Sequence, residues 1–411
     1  MMNDASFLMI VQPVKGYLGQ VLFASIEKGK LEKVLRSIHY LSLSRITNMT
    51  PRFRRTLFRI LPFGGIWFLM SWTFFLVESA ALGTMSPNAP NVINLTPKVA
   101  LFATTISFLM GMSIGFVEVV FVEKWFRHRT FTMKVLAKFL GYLFTIIVAV
   151  PILFSIAASI ELGESVFSHP VQTKRNAYLG SLAFGSTMLQ LGFSLLLTTV
   201  YAAVSEHIGF GMVLNLLSGK YHKPKAERRI FLFVDMKDST THAESLGHIR
   251  YFELLRAYYD SMSNAIIDHR GEVYQYIGDE VVISWDSQTG ISKNHCLACF
   301  FAMKAALADR AEQFKAQFGI VPTFKAGLHI GEVTTGEIGA LKKEIFFTGD
   351  VLNVTSRLQS LCNTYQVDLI VSADLEEALA GTNPFILESL GHVALKGRQQ
   401  HLEIFAAQSI A

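Results

Sequence analysis

Four apolar stretches in the first half of the chain, at roughly residues 63–82, 99–122, 139–160 and 178–203, constrain this sequence more than any other feature. A helix rises about 1.5 Å per residue, so about 20 apolar residues cross the hydrocarbon core of a bilayer. A chain with four such stretches in succession cannot fold as one small soluble domain. Only 17% of its 411 residues are charged and 51% are hydrophobic, where a soluble domain carries about 25% charged residues. Charge divides along the chain as well. Residues 1–220 hold 19 basic and 9 acidic side chains, and residues 221–411 hold 18 and 23. The first part therefore reads as a multi-pass α-helical membrane domain and the second as a soluble domain of ordinary size. A disordered chain and a nucleic-acid-binding partner are both disfavoured. The three cysteines, all in the second part, suit a reducing compartment rather than a disulfide framework.

The loops set an orientation. Gly83 to Lys98 holds one basic residue, and Glu161 to Ala177 holds Lys174 and Arg175 beside two glutamates. The second loop is richer, with Lys124, Arg127, Arg129, Lys134 and Lys138, as are the flanks at Arg52–Arg59 and Lys220–Arg229. By the positive-inside rule both termini lie in the cytoplasm, with the four spans in the cell (inner) membrane. The apolar run at residues 7–12 has no basic n-region and is cut by Pro13, so it is not read as a signal peptide. Leu31, Val34, Leu35, Ile38 and Leu41 recur at helical spacing among lysines, a pattern for a helix on the inner leaflet or packed on the protein. Glu78 and Glu118 sit inside spans, each close enough to an interface to reach water. Gly111 and Gly115 form a GxxxG pair suited to close helix contact. Short loops and the lack of clustered polar residues in the spans argue against a channel or transporter. After the fourth span, Ile208, Met212, Val213, Leu216 and Leu217 share a helical face that ends near Gly219 and Pro224.

Ile230-Phe-Leu-Phe-Val reads as a central strand buried on both faces and ends abruptly at Asp235. A helix follows the small polar residues Lys237–Thr240 and runs to about Ala257. Strands over Gly271–Ile277 and Glu280–Trp285 are joined by a Gly278-Asp279 turn. If the first two strands are neighbours, the carboxylates of Asp235 and Asp279 converge, and two hard oxygen ligands there suit Mg²⁺ or Mn²⁺ bridged to nucleotide phosphates. Cys296-x-x-Cys299 lies in an Ala-rich helical stretch without a second pair, a weak signal for zinc. There is no GxxxxGK[ST] loop.

The blocks Phe-Val-Asp235-Met…Ser239-Thr240, Tyr-Ile-Gly-Asp279-Glu-Val, Gly327-Leu-His-Ile-Gly331, Phe-Thr-Gly-Asp350…Asn353-Val-Thr-Ser-Arg357 and Leu-Lys396-Gly occur in that order. Together they resemble the class III nucleotidyl (adenylate/guanylate) cyclase catalytic domain over about residues 226–408. The resemblance implies an α+β ferredoxin-like (palm) fold working as a head-to-tail homodimer. It implies two metal ions, Mg²⁺ or Mn²⁺, on Asp235, Asp279 and the main-chain carbonyl of Met236. It places Ser239, Thr240 and Lys396 on the phosphates, Asn353 on the ribose and Arg357 on the transition state. The aspartates of one subunit would meet the Asn/Arg/Lys set of the other. Where adenylate cyclases place a base-reading lysine and aspartate, this chain has Gln275 and Phe346. A Gln amide can donate to adenine N1 and accept from N6, and Phe346 can stack. Neither residue matches the Glu and Cys of guanylate cyclases.

The expected organisation is a cytoplasmic segment with an amphipathic helix over 1–59, a four-helix membrane domain over 60–204, a coupling helix and linker over 205–225, and a cyclase domain over 226–411. The expected activity is conversion of ATP to cyclic AMP at the bilayer. The alternatives are a guanylate cyclase, or a membrane receptor whose cyclase domain binds nucleotide without turnover.

Overall fold

The computed structural model describes residues 50–82, 93, 96–122, 131–208, 219–340, 343–379, 385–394 and 401–409. The chain divides into two compact units, Met1–Arg54 and Arg55–Ala411. In the first, the described residues open helix α1 (Pro51–Leu82), where the Thr50 hydroxyl accepts from the Phe53 N–H at 3.4 Å. The amphipathic pattern over 31–41 and most of the coupling helix lie outside the described residues.

The second unit continues with α2 (Pro97–Val117) and a π turn over Glu118–Val122, then α3 (Phe131–Leu162), α4 (His169–Leu179) and α5 (Leu182–Ile208). Among the described residues, four helices are long and apolar enough to cross a membrane: Pro51–Val77, Pro97–Val122, Leu136–Leu162 and Leu182–Ser205. Gly111 and Gly115 make the expected close contact. A Cβ on Gly111 would fall 2.6 Å from the Phe63 carbonyl, and one on Gly115 2.8 Å from the Phe63 ring. Side chains there would push α1 and α2 apart.

Two readings of this region change. The fourth span starts at Leu182, not at residue 178. Tyr178 lies in the last turn of α4, stacks on Phe154 at 3.8 Å, and its carbonyl accepts from the Ser181 N–H in a turn. The third loop is correspondingly largely α4, whose Lys174 pairs with Glu161 at 2.6 Å. Glu118 does not reach water. It is 6% exposed, ion-paired with Lys138 and accepting from the Tyr142 hydroxyl at 2.7 Å. Partners from α3 satisfy the carboxylate inside the helix bundle.

The remainder is an α+β domain. Strand β1 (Lys225–Met236) leads into α6 (Ser239–Leu246) and α7 (His248–Asp268), then the hairpin of β2 (Glu272–Ile277) and β3 (Glu280–Asp286). Short α8 (Ser287–Ile291) precedes α9 (His295–Ala308) and α10 (Ala311–Phe318). Next come β4 (Phe324–Ile338), β5 (Glu344–Thr348), α11 (Asp350–Tyr365), β6 (Leu369–Ser372), α12 (Ala373–Leu379), β7 (Phe385–Ala394) and β8 (His401–Ser409). The sheet order is β2-β3-β1-β4-β6-β8-β7, with β5 paired to β4. Its first four strands, with the intervening helices, are a βαββαβ ferredoxin-like palm.

The central strand is buried on both faces. Ile230, Leu232, Val234 and Met236 pack with Leu254, Tyr258 and Met262 of α7 and Phe300 and Met303 of α9. Phe231 and Phe233 face the other way, toward Phe347 and Val351. The helix after β1 is two helices, because the chain breaks at Gly247 with φ of +73°. The neighbours of β1 are β3 and β4, so β2 does not pair with it.

Candidate active site

The end of β1 carries the acidic centre. Asp235 is half-buried and lies in register with Glu280 of β3 on one side and Lys325 of β4 on the other. Asp279 occupies the hairpin tip one residue before Glu280. The two aspartates therefore converge through β3, and the Asp279 carboxylate comes within hydrogen-bonding reach of Asp235. Burial, then Asp279, raises the Asp235 pKa, against the opposing charge of Lys325. Burial, then Asp235 and Asp279, pushes Glu280 up to about 7.

Residues outside the ordered sequence blocks hold this centre. The Asp235 Oδ2 accepts from Gln359 Nε2 at 2.9 Å and lies 3.4 Å from Lys325 Nζ. The Tyr259 hydroxyl, on α7, reaches the carbonyls of Gly278 at 2.9 Å and Glu280 at 3.3 Å, the two residues that flank Asp279. One signal for Gln359 was readable. It is a polar residue within the apolar stripe Val351, Val354, Leu358 and Cys362 of α11.

Two carboxylates this close repel each other unless a proton or cation lies between them. Their all-oxygen character suits Mg²⁺ or Mn²⁺. Among the described residues no group of three or more His, Cys, Asp or Glu gathers around a metal-sized point. Phosphate oxygens and water would therefore complete the shell, as is usual for Mg²⁺. The Met236 side chain is buried in the core, and the residue lies in register with Phe324 of β4. Ser239 begins α6 and hydrogen-bonds Tyr251, and Thr240 beside it is exposed. Cys296 and Cys299 are both buried in the apolar core, where burial pushes Cys296 up to about 12. They are packing residues there, not a zinc pair.

The other candidate residues lie elsewhere. Gln275 on β2 and Phe346 on β5 are exposed. Their chain neighbours Tyr274 and Phe347 pack at 4.8 Å, and the Phe347 N–H donates to the Tyr274 hydroxyl at 3.4 Å. Asn353 is exposed and Arg357 half-buried on α11. The α11 residue that reaches Asp235 is Gln359, about 200° around the helix from Arg357. The Asn353/Arg357 face is thus turned away from the acidic centre of its own chain. Lys396 lies outside the described residues.

A ferredoxin-like sheet order with paired acids at the end of its central strand defines the class by fold: a palm domain with a two-acid centre. Residues 222–408 match the family described as "Adenylate and Guanylate cyclase catalytic domain", and this part of the chain belongs to that family. "Adenylate cyclase 2" of Rhizobium meliloti (strain 1021) is 34% identical over 203 residues, covering 49% of this chain and 56% of that protein. "Adenylate cyclase 1" of the same organism is 28% identical over 180 residues, covering 42% and 26%. The chain thus spans about half or less of the length of these relatives. Among solved structures, the adenylyl cyclase CyaB from P. aeruginosa aligns with a TM-score of 0.41 at 18% identity, covering 46% of this chain and 96% of that one.

Proposed function

We propose that this protein is a membrane-anchored adenylate cyclase that converts ATP to 3′,5′-cyclic AMP and pyrophosphate, in a homodimer whose sites lie between subunits. The observation that carries this reading is the convergence of Asp235 and Asp279 within a domain of the cyclase family. The orientation of α11 supports the shared site, since Gln359 faces Asp235 and Arg357 projects about 200° around the helix from it. The four apolar helices support a division into a cytoplasmic segment (1–59), a membrane domain (60–204), a linker (205–225) and a catalytic domain (226–411), with both termini in the cytoplasm.

Asp235, Asp279 and the Met236 carbonyl of one subunit would hold two Mg²⁺ or Mn²⁺ ions. When bound, such ions supply acidification of the ribose 3′-hydroxyl and charge neutralisation on the triphosphate. Ser239 and Thr240, at the start of α6, bind phosphate oxygens beside main-chain N–H groups. From the partner, Asn353 orients the ribose so that the 3′-oxygen lies in line with the α-phosphorus. The new O–P bond forms as the bond to pyrophosphate breaks, and the hydroxyl proton leaves to water or to substrate. Arg357 meets the charge growing on the α-phosphate oxygens, where a positioned donor contributes about 2.7–4 kcal/mol. Lys396 meets the terminal phosphates. Gln275 donates to adenine N1 and accepts from N6, and Phe346 stacks on the ring.

The name carried by both curated relatives, adenylate cyclase, favours ATP over GTP. The test is the wild-type chain with ATP or GTP and Mn²⁺, alongside Gln275→Leu. Cyclic AMP from wild type, and an ATP kcat/KM lowered in the variant by about 1–3 kcal/mol of transition-state binding, support the reading. Cyclic GMP as the main product, or an unchanged ATP/GTP ratio in the variant, contradicts the base assignment.

A further inference from the structure

Gln359 stands outside the residue set that marks the family, yet its side-chain amide joins α11 to β1 through a hydrogen bond to Asp235. It is 5% exposed, and its amide nitrogen donates to Asp235 Oδ2 at 2.9 Å. Lys325 Nζ approaches the same oxygen at 3.4 Å. Both donors engage Oδ2, which holds the carboxylate in rotation. The seat of α11 makes this reach possible. A Cβ on Gly327 would lie 2.4 Å from the Thr355 carbonyl and 2.5 Å from the Gln359 nitrogen, so only glycine lets the helix lie this close to β4. A buried amide costs free energy unless it is hydrogen-bonded, and on an otherwise apolar face it would be out of place without its carboxylate partner.

We infer that Gln359 is a positioning residue for the metal centre: its amide sets the rotamer of Asp235, and through α11 it ties that aspartate to the helix that carries Asn353 and Arg357. The inference rests on the proposed two-acid metal site. Partners in this position around metal ligands are commonly worth about 10–100-fold in metal affinity or activity.

The test is Mn²⁺ binding, followed by electron paramagnetic resonance on the full chain in detergent with 3′-deoxy-ATP, which has no 3′-hydroxyl and cannot cyclise. Gln359→Met keeps the volume and removes the amide. Gln359→Asn keeps an amide and withdraws it by one methylene, which guards against a folding defect in the first variant. Both are expected to weaken Mn²⁺ binding about tenfold while the metal-free melting temperature and dimerisation stay near wild type. Asp235→Asn is the control. If it loses Mn²⁺ while both Gln359 variants bind like wild type, the inference is overturned and the metal site stands. If Asp235→Asn itself binds Mn²⁺ like wild type, the metal-site reading falls and the inference with it.

Discussion

The Tyr259 hydroxyl donates to the Gly278 carbonyl at 2.9 Å, so a residue of α7 grips the hairpin tip one position before Asp279. The Tyr259 ring also packs on Tyr276 at 4.6 Å, which keeps the hydroxyl aimed at the turn. Asp279 thereby gains a fixed approach to Asp235 although its own turn is at the edge of the sheet. Removing the hydroxyl removes the grip and leaves the ring packing in place. Tyr259→Phe is expected to lower kcat/KM for ATP about tenfold while changing stability by about 1 kcal/mol. Steady-state kinetics beside urea unfolding checks this; unchanged kinetics would show that the turn holds Asp279 unaided.

Glu280 gives the domain a pH-dependent stability. Its carboxyl is raised to about 7, by burial first and then by Asp235 and Asp279. A raised folded-state pKa means that the folded state holds the proton more tightly than the unfolded state. That stabilisation is full below the ordinary value of 4.5 and is lost as pH rises through about 7. The melting temperature of the metal-free protein is therefore expected to decline across that window, and Glu280→Gln to flatten the decline. The same slope in wild type and variant would contradict the assignment.

Gly327 is the floor under α11. An added methyl meets backbone at 2.4 and 2.5 Å, which no rotamer change relieves. Gly327→Ala is expected to cost about 1–3 kcal/mol of stability by overpacking and to lower activity further by carrying Gln359 away from Asp235. Denaturant unfolding and cyclase assay of the same preparation check both parts. Wild-type stability would show that α11 shifts without strain.

Much of this was legible in the sequence. The apolar run Ile230–Val234, rich in β-branched and aromatic residues and short, with an acid at its end, fits a strand buried on both faces. The ordered blocks around Asp235, Asp279, Asn353 and Arg357 identify the family. What periodicity does not carry is strand order. Asp235 and Asp279 meet because β3, not β2, lies beside β1. Nor does it carry tertiary partners. Glu118 read as a carboxylate near water, and it is buried because Lys138 and Tyr142 from another helix satisfy it. Residues 178–181 read as the start of a span because Tyr178 and Leu179 are apolar, while the turn at Gly180 and Ser181 places them before it. Tyr259 was invisible as a site residue, and Gln359 showed only as a polar residue in an apolar stripe, because each acts on another residue's atoms.

The most direct measurement of the central claim, a cyclase whose site is assembled from two copies of this chain, is cyclic AMP formation by mixed subunits. Asp279→Asn removes one acid, and Arg357→Ala removes the guanidinium on the opposite face of α11 from Gln359. Each variant alone is expected to retain no more than a few per cent of wild-type activity, since both sites of each homodimer are damaged. Subunit exchange between the two gives heterodimers in which one site keeps both aspartates and the partner's Arg357, and cyclic AMP formation is expected to return. A mixture that stays inactive despite demonstrated exchange, beside an active wild type, would contradict the shared site and place the whole reaction within one chain.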